Sequence, residues 1–542
     1  MADETQRSES EVELLELRVL DGPNRFFNRP AVKLEFTAPT PGAAAEVAAS
    51  AGLAVRRLYV ALGLPAPRIV SRRSTDDRRA LIAYPWRRRT IAQAIAAAAS
   101  RLALQRSTDR RELAALRAMA LGPLPHLPRP RVPVVAITGT NGKSTTTRLI
   151  AHIASEAGMR VGMTNSDGIF IGGELVEAGD WTGFGGAARI LAEPNVELAV
   201  LETARGGILL RGIGYGANDV AVVTNVSADH LGLQGIDTLD ELAETKAAVV
   251  RMTKPGGWAV LNGDDARTWA MRRETRARWY AFSMDPTSVQ AEQALEADGR
   301  AAVHERGWLV LRRAGERPVR LARADDLPVA LHGLARYNVA NALAAAAACD
   351  ALELPHAAIS AGLASFARDA AANPGRLNLF ERDGTVVLID FAHNEAGLEG
   401  LVKVSRGLAG RNRVRLAIGT AGDRTDEVLR NLGRIGGEAA DELVICEKVH
   451  YLRGRDREEL NQLLREGAAQ AGYRGKVPAY PSELDALRNL LDRADSGDVV
   501  AVMSHVERQE IFEWLGAHGF DAIAPDRLRE LVAGGVHTED PD

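Results

Sequence analysis

Residues 134–146 (VVAITGTNGKSTT) join a short apolar run to a glycine-rich turn and to the start of a helical pattern. Gly139 and Gly142 let backbone N–H groups wrap a polyphosphate, and a helix start adds partial positive charge. Lys143 can reach the β- and γ-phosphates, while the Ser144 or the Thr145 hydroxyl can ligate Mg²⁺. One glycine of the usual G-x-x-x-x-G-K spacing is replaced, yet the strand, turn and helix together predict phosphate binding.

A carboxylate and a histidine follow two further apolar runs. Glu202 ends the run VELAVLE, and the next run leads into NVSADH, which contains Asp229 and His230. Ligands of parallel sheets bind at the carboxyl ends of the strands. Glu202 could hold Mg²⁺ directly or through water, and Asp229 and His230 could ligate a second metal or face the substrate. A lone strand-end Glu or His is usually structural, but their position on consecutive strands favours function.

Lys246 lies on the helical pattern DELAETKAAVV, in a chain where only seven of the 67 basic Lys and Arg residues are Lys. From spacing alone we expect a solvent-facing lysine that pairs with Glu241 or Glu244 along the helix.

The elements that must position these residues alternate along most of the chain. Continuous apolar runs separated by helical patterns are typical of a parallel sheet covered on both faces. Such runs occur at 134–138, 196–202, 219–225, 258–262, 386–390, 414–419, 442–447 and 498–503. Short antiparallel strands are predicted for 302–332 and a helical pair for 339–365. Before them, 12–38 reads as half-buried strands, followed by helices near 41–63 and 90–120.

These patterns predict an α/β protein of three domains. Residues 1–121 form a small α+β domain, and 122–133, with five prolines, form a stiff linker. Residues 134–370 form a central parallel-sheet domain with the phosphate loop. Residues 371–542 form a second, Rossmann-like α/β domain.

Composition excludes several classes of protein. The 542 residues carry a net charge of −4, which gives no reason to expect nucleic-acid binding. The two cysteines, Cys349 and Cys446, are too few for a disulfide scaffold or a cysteine-rich zinc module. The sequence contains no long apolar run and begins with a polar segment, so we expect a cytoplasmic protein without a membrane span.

Several motifs together resemble the Mur ligase superfamily and, within it, the ligases of the cyanophycin-synthetase type. The motifs are GTNGKST (139–145), MTNSDGIFIGGELVEAGDWTG (163–183), LETARGGIL (201–209), NVSADHLGLQGIDTLDELAETK (225–246), LNGDDA (261–266), GLARYNVANALAA (333–345), NPGRLN (373–378), DFAHN (390–394) and GTAGDRTDE (419–427). The resemblance implies an ATP-dependent amide ligase. In such enzymes a carboxylate takes the γ-phosphate of ATP as an acyl phosphate, and an amine then displaces phosphate.

The resemblance also implies roles for individual residues. Glu202 would hold the Mg²⁺ between the β- and γ-phosphates, with Ser144 as a further ligand. His230 would hold a second Mg²⁺, assisted by Lys246, which matches a lysine that is carbamylated in many Mur ligases. The implied catalytic residues are Lys143, Glu202, His230, Lys246 and Arg376. The implied ATP-binding residues are Gly139, Thr140, Asn141, Gly142, Lys143, Ser144, Thr145, Asn338, Asn341, Arg376 and Asp390. Tyr337 stands where many Mur ligases have His.

The N-terminal segment LRVLDGPNRFFNRP is also similar to the opening domain of the cyanophycin-synthetase type. Residues 1–121 are too few to hold an ATP-grasp ligase as well, so we do not expect this chain alone to polymerise aspartate and arginine. Its basic run is interpreted as a solvated face; the run consists of Arg72, Arg73, Arg78, Arg79 and Arg87–Arg89, beside Tyr84 and Trp86. The alternative is a docking site for an acidic substrate, with Asn24, Arg25 and Arg29 as further candidates.

The expected activity is therefore the joining of an acidic peptide or small carboxylate to an amino acid or other amine, with ATP and Mg²⁺. One alternative is a non-catalytic nucleotide-binding partner subunit. Another is glutamate addition of the folylpolyglutamate type, against which the ETARGG and DGPNRFF segments argue. A homo-oligomer is possible by the same resemblance. The segment VMSHVERQE (502–510) leaves the identity of the amine open.

Overall fold

A computed structural model describes residues 12–104, 109–229, 231–366 and 372–535. Along these residues the strands form three sheets, of four, eleven and seven strands. Each sheet lies within one of the three predicted domains, and the α/β class is confirmed; the domain boundaries themselves stay a prediction. No helix in the described ranges is long and apolar enough to cross a bilayer.

The N-terminal sheet is antiparallel, with the strand order β1-β2-β4-β3. Its apolar face packs against two helices rich in alanine, and the β2 residues Val32, Leu34 and Phe36 are fully buried there. Its elements are β1 (Glu13–Leu20), β2 (Ala31–Thr37), α1 (Ala43–Ala61), β3 (Val70–Arg73), β4 (Arg79–Pro85), α2 (Arg89–Ala103) and α3 (Asp109–Arg117). Residues 122–133, all described, contain no helix or strand.

The central sheet has a parallel middle and an antiparallel hairpin region at each edge, in the order β15-β14-β13-β12-β11-β10-β5-β9-β6-β7-β8. Its first elements are β5 (Val134–Thr138), α4 (Lys143–Glu156), β6 (Val161–Thr164), β7 (Gly168–Ile171), β8 (Glu174–Ala178), α5 (Phe184–Leu191), β9 (Leu198–Glu202), α6 (Arg205–Leu210), β10 (Asn218–Val223) and α7 (Leu239–Arg251). There follow β11 (Thr253–Asn262), α8 (Ala266–Ala270), β12 (Arg278–Ser283), α9 (Val289–Glu296), β13 (Arg300–Glu305), β14 (Trp308–Arg313), β15 (Val319–Arg323), α10 (Arg336–Ala351) and α11 (His356–Ser365).

Strand β5 shows why this sheet reads as continuous apolar sequence. Val135 and Ile137 belong to the core under α4, α10 and α11. Val134 and Ala136 belong to the core on the opposite face, with α7. Both faces of the strand are therefore buried, as expected for a parallel sheet covered by helices.

The C-terminal sheet has the order β20-β19-β18-β21-β17-β16-β22 and is parallel from β17 to β20. Its elements are β16 (Asn378–Arg382), β17 (Thr385–Asp390), α12 (Glu395–Ala409), β18 (Val414–Ile418), α13 (Asp426–Ala439), β19 (Glu442–Cys446), α14 (Arg457–Gln470), β20 (Ala479–Tyr480), α15 (Glu483–Leu491), β21 (Val499–Met503), α16 (Arg508–Ala517), β22 (Asp521–Ala522) and α17 (Pro525–Gly535). Leu331 and Ala335 precede α10 in the central sequence but are fully buried in this C-terminal core.

The sequence analysis missed several short strands. They are β3, β4, β6, β7, β8, β12, β16, β20 and β22. In β8 every residue is exposed, so its sequence lacks the apolar pattern on which such a prediction depends. The hairpin partner β7 supplies its pairing instead.

Candidate active site

The phosphate loop, residues 139–145, follows β5 and opens helix α4, as predicted. Gly139 and Gly142 have φ angles of 150° and 83°, a backbone region that favours glycine. A Cβ atom on Gly142 would lie 2.2 Å from the Asn341 side-chain oxygen. The loop therefore approaches α10 more closely than any other residue type would allow. The first N–H groups of α4 have no partner within the helix and point to the loop.

The neighbouring strand β10 fixes the shape of this loop. After β10, the Asn225 side chain accepts a hydrogen bond from the Asn141 N–H at 2.9 Å, and the Asn225 carbonyl accepts from the Thr140 N–H at 2.9 Å. The Ser227 N–H donates to the Thr140 hydroxyl oxygen at 3.1 Å. These bonds preorganise the loop without using the N–H groups at the start of α4. Sequence reasoning missed Asn225 and Ser227, although both lie in the NVSADH motif.

A cavity of about 400 Å³ lies between the phosphate loop and the C-terminal sheet. It is lined by the loop residues Thr140, Asn141, Gly142, Lys143, Ser144 and Thr145 and by Asn338, Asn341, Arg376 and Asp390, all of them predicted site residues. The structure thus brings together side chains separated by some 250 positions of sequence. Tyr337 also lines the cavity and is 41% exposed.

Lys143 and Arg376 are the cations that face this cavity from opposite sides. The Lys143 ammonium donates to the Thr140 carbonyl at 2.8 Å. The Arg376 guanidinium stacks on the Phe391 ring, with 4.4 Å between its central carbon and the ring centroid. Burial lowers the pKa of Arg376, against the nearby Asp390, Asp167 and Glu202 carboxylates that raise it. Both side chains can meet an anion placed between the two domains.

Glu202 ends β9 beside the phosphate loop and is 4% exposed. Burial raises the pKa of its carboxyl group, and the nearby Lys143, the Ser144 hydroxyl and Arg376 only partly oppose this. Its Oε2 atom has no hydrogen-bond partner among the described residues. A buried carboxylate with insufficient positive charge, next to a hydroxyl, fits a divalent cation that prefers oxygen ligands.

The described residues hold no cluster of three or more His, Cys, Asp or Glu side chains suited to a metal ion. A cation at Glu202 would need hydroxyl, water or phosphate oxygens as further ligands, which is the usual environment of Mg²⁺. The predicted second-metal ligand His230 lies outside the described residues. Its neighbour Asp229 forms an ion pair with Arg424 at 3.2 Å and lies 3.6 Å from the His393 ring nitrogen Nε2, across the gap between the two domains.

Lys246 is buried, with 3% exposure, and its ammonium donates to the Gly139 carbonyl at 2.6 Å. Burial and the nearby Lys143 lower its pKa well below that of an ordinary lysine, with Asp229 opposing this shift. The expectation from spacing alone, a solvent-facing lysine paired with Glu241 or Glu244, is wrong. Those carboxylates bind Arg25 instead, because the N-terminal domain covers that side of α7.

The predicted ATP-binding residues Asn338, Asn341 and Asp390 form local hydrogen-bond networks. The Asn341 amide donates to the Asn338 side-chain oxygen at 2.9 Å, and the Asn338 amide donates to the Val329 carbonyl at 2.8 Å. Asp390 ends β17 and accepts from the N–H groups of Leu377 and Ala392 at 2.9 and 2.8 Å. Burial raises the pKa of Asp390 despite these donors and Arg376.

The two walls of the cavity touch through polar side chains. Asn141 and Asn394 exchange a pair of amide hydrogen bonds at 3.1 and 3.3 Å. On another flank, Asp167 accepts from Arg148 of α4 at 2.9 Å and from Arg508 of α16 at 2.8 Å. Sequence reasoning missed this arginine–aspartate–arginine link, which no local spacing signals.

Most residues of the N-terminal domain that were candidates for substrate docking form contacts within the fold instead. Tyr84 and Trp86 are buried in the core of the N-terminal domain. Asn24 is 1% exposed and shapes its own turn, and the side chain of Arg25 is 2% exposed, between Glu241 and Glu244. These four residues are not free to dock a substrate, and the basic run is only partly a solvated face, since Arg72 and Arg79 also pair with the central domain.

Comparisons with known proteins agree with this arrangement. Residues 137–349 match the Mur ligase middle domain, and residues 375–506 match the Mur ligase, glutamate ligase domain. Cyanophycin synthetase of Trichormus variabilis is 40% identical over 411 residues, which cover 76% of this chain and 44% of that protein. The Nostoc sp. cyanophycin synthetase is 40% identical over 373 residues, 69% of this chain and 41% of that protein. The chain thus spans less than half the length of these relatives.

Proteins with lower sequence identity are matched over a larger part of their own length. The UDP-N-acetylmuramoyl-L-alanyl-D-glutamate--2,6-diaminopimelate ligase of Geobacillus kaustophilus is 28% identical, over 69% of this chain and 74% of that protein. Among solved structures, E. coli FolC in complex with DHPP and ADP has a TM-score of 0.53 and 21% identity, over 72% of this chain and 90% of that chain. At this identity the likeness concerns the fold alone.

Proposed function

The chain belongs to the Mur ligase superfamily, and from that premise we propose that it is an ATP-dependent ligase that joins a carboxylate substrate to an amine. The single observation that carries the proposal is the cleft. The phosphate loop with Lys143 and the Arg376 side chain line it from two different sheets, and Glu202 lies close enough to interact with both cations.

The phosphate loop is proposed to hold the triphosphate of ATP. The N–H groups at the start of α4 bind phosphate oxygens, and Lys143 leaves the Thr140 carbonyl to pair with the β- and γ-phosphates. Asn338 and Asn341 lie on the α10 side of the cavity, where they can hydrogen-bond to the adenine. Asp390 is proposed to accept from the ribose hydroxyls. Thr140, Asn141 and Thr145, which line the cavity, are proposed to complete the loop contacts together with Gly139.

The first chemical step is the attack of the substrate carboxylate on the γ-phosphorus, which gives an acyl phosphate and ADP. Two anions must meet in line, so the rate depends on charge neutralisation and positioning. Lys143 and Arg376 face the cavity from opposite domains and can neutralise the transferred phosphoryl group from two sides. An uncharged amine then attacks the acyl carbon, phosphate leaves, and an amide remains.

Mg²⁺ supplies charge neutralisation of the phosphate oxygens when bound. Glu202 and Ser144 are proposed to hold one ion, which the unpaired Glu202 oxygen supports. His230 and Lys246 are proposed to serve a second. Lys246 is buried and favours the uncharged amine, the form that reacts with CO₂, so its carbamylation belongs to the proposal.

The substrates are proposed as an acidic peptide or small carboxylate and an amino acid or other amine, with ADP and phosphate as the other products. The relatives of the cyanophycin-synthetase type support this class. The chain spans less than half the length of these cyanophycin synthetases, so their whole activity does not belong to the proposal.

A phosphate-release assay tests the proposal. The chain is incubated with ATP, Mg²⁺, a panel of amino acids and a panel of acidic peptides, singly and in pairs. Release that requires both an acid and an amine is expected. Release that ignores both would indicate a simple ATPase, and failure to bind ATP would overturn the assignment of the phosphate loop.

The variant Lys143→Ala tests the proposed role of Lys143 in phosphoryl transfer. We expect a roughly 100-fold or greater loss of turnover, because one preorganised charge at the transferred phosphoryl group is removed. Lys403→Ala, which removes an exposed lysine of α12, is the control and should keep the wild-type rate. Equal rates for the two variants would refute the role of Lys143.

A further inference from the structure

Helix α7, which carries Lys246, is held from outside by the N-terminal domain. The side chain of Arg25 is 2% exposed and its three nitrogen atoms all bind this region. Nε donates to Glu244 at 2.7 Å and Nη2 to Glu241 at 3.0 Å, while Nη1 donates to the Gly235 carbonyl at 3.0 Å. A charged fork with every branch paired fixes both the position and the rotation of the first two turns of α7.

The same N-terminal turn, residues 21–30, also holds the far end of α7. Arg251 donates to the carbonyls of Asn24 and Arg25, both at 2.9 Å. The Asn24 side chain accepts from the N–H groups of Phe26 and Phe27, which keeps those carbonyls in place. The turn therefore grips α7 near both of its ends.

Lys246 lies on the other side of this helix. It follows Glu244 by two residues, which is a rotation of about 200° around an α-helix. Glu244 therefore faces the N-terminal domain, while Lys246 faces the phosphate loop and bonds to the Gly139 carbonyl. Helix α7 is therefore fixed between the N-terminal domain and the phosphate loop. A shift of the helix at its contact with Arg25 would also move Lys246 on its opposite face.

Two further arginines extend the contact toward the cleft. Arg72 donates to Glu244 at 2.8 Å, and Arg79 pairs with Asp237 just before α7. Arg25 bonds to Gly235, Glu241 and Glu244, whereas Asp237 pairs with Arg79. The contacts with the N-terminal domain are therefore distributed along residues 235–244. This segment connects Lys246 to Asp229, which pairs across the cleft with Arg424.

We propose that Arg25 is a positioning residue of the ligase centre: by holding Glu241 and Glu244, it keeps α7 where Lys246 meets the phosphate loop. The inference rests on the proposed ligase activity. It makes the N-terminal sheet a part of the catalytic unit, in addition to any role in substrate docking.

The test compares Arg25→Met with wild type, using the acid and amine pair found in the phosphate-release assay. We expect kcat to fall about tenfold while KM for ATP changes less than twofold, since the loop N–H groups and Lys143 are not touched. Rates are expressed per molecule that binds the ATP analogue AMPPNP, so partial unfolding does not count as lost catalysis. Faster amide hydrogen exchange across residues 239–251 should accompany the loss.

Three further variants test whether the loss of kcat comes from the Arg25 contact itself. Arg25→Lys keeps the charge without the fork and should recover part of kcat. Glu244→Gln weakens the same contact from a half-buried position and should lower kcat in the same direction. Arg57→Met removes an exposed arginine of α1 and should behave as wild type.

The outcomes separate this inference from the proposed function. An active wild type whose Arg25→Met and Glu244→Gln variants keep its kcat would overturn the positioning role alone. A proportional loss of folded protein with unchanged kcat per binding-competent molecule would overturn it as well. A wild type without acid- and amine-dependent phosphate release would overturn the proposed function, and this inference with it.

Discussion

The central domain meets its two neighbours in different ways. Toward the N-terminal sheet the contact includes backbone hydrogen bonds: the N–H groups of Asp21 and Gly22 donate to the Arg211 carbonyl, and that of Ile213 donates to the Pro23 carbonyl. Toward the C-terminal sheet, no backbone-to-backbone hydrogen bond joins the described residues 12–366 to 372–535. There the walls meet through side chains around the cavity, with an apolar contact at Leu331 and Ala335.

The difference indicates which contact is fixed and which can open. A contact made of backbone hydrogen bonds and a buried, fully paired arginine is costly to break, because buried polar groups would lose their partners. Side-chain pairs around a cavity can be exchanged for contacts with water or ligand. Under the proposed function ATP must enter the cleft and then be surrounded, so we expect the functional motion at the C-terminal contact.

If the C-terminal contact moves as a unit, the C-terminal wall of the cleft must itself be rigid. Substitution of Glu483 tests this rigidity and has the largest expected effect on the free energy of unfolding. Its buried carboxylate pairs with Lys448 and accepts from the N–H groups of His505, Val506 and Glu507. That segment leads to Arg508 and places the His505 ring against the Ala392 carbonyl at 2.6 Å. Glu483→Gln should lower the free energy of unfolding in urea by about 3–5 kcal/mol, because a buried charge pair is broken.

The same carboxylate gives a pH dependence with a definite sign. Burial alone would raise the pKa of Glu483, but Lys448 and the N–H donors lower it to about 2. Its stabilisation is therefore complete above the ordinary pKa of about 4.3 and is lost as pH falls toward 2. The difference between wild type and Glu483→Gln should shrink over that range. Glu510→Gln, on an exposed position, is the control; equal stabilities at neutral pH would contradict a rigid wall.

Gly22→Ala probes the fixed contact. A Cβ atom there would lie 1.9 Å from the Ile213 carbonyl oxygen, so the two backbones would have to separate. We expect a loss of about 1–3 kcal/mol in the free energy of unfolding, the usual cost of overpacking. The control is Gly216→Ala, where nothing lies within 4 Å of the added atom. If both variants unfold alike, the N-terminal contact is looser than its hydrogen bonds imply.

Arg508→Met probes the contact that can open, and its effect on stability should be the smallest. The Arg508 side chain is 28% exposed, and Asp167 keeps its partner Arg148, so we expect a change below about 1 kcal/mol. The link across the cleft is lost, however, and small-angle scattering of the free protein should show an increased radius of gyration. Arg529→Met, whose ion pair stays within α17, should leave the radius unchanged. An unchanged radius for Arg508→Met would mean that this link does not hold the cleft closed.

The sequence determined the class of fold and ten of the residues that line the cleft. Continuous apolar strands were readable because both faces of β5 are buried, and the phosphate loop was readable because its glycines, lysine and hydroxyl are local in sequence. Resemblance added Asn338, Asn341, Arg376 and Asp390, which all line the cavity. His230 stays a prediction, and so does the role of each site residue.

Tertiary structure alone decided how these residues are supported. Helical spacing predicts a surface position for Lys246 because it shows only neighbours along its own helix. The lysine is buried because that face of α7 packs against the phosphate loop, where it bonds the Gly139 carbonyl. Arg25 was a candidate for substrate docking for the same reason, since its partners Glu241 and Glu244 are more than 200 positions away. The Arg148–Asp167–Arg508 link is equally non-local. Spacing encodes contacts along one element, while contacts between domains depend on how whole elements pack, which no short segment of sequence contains.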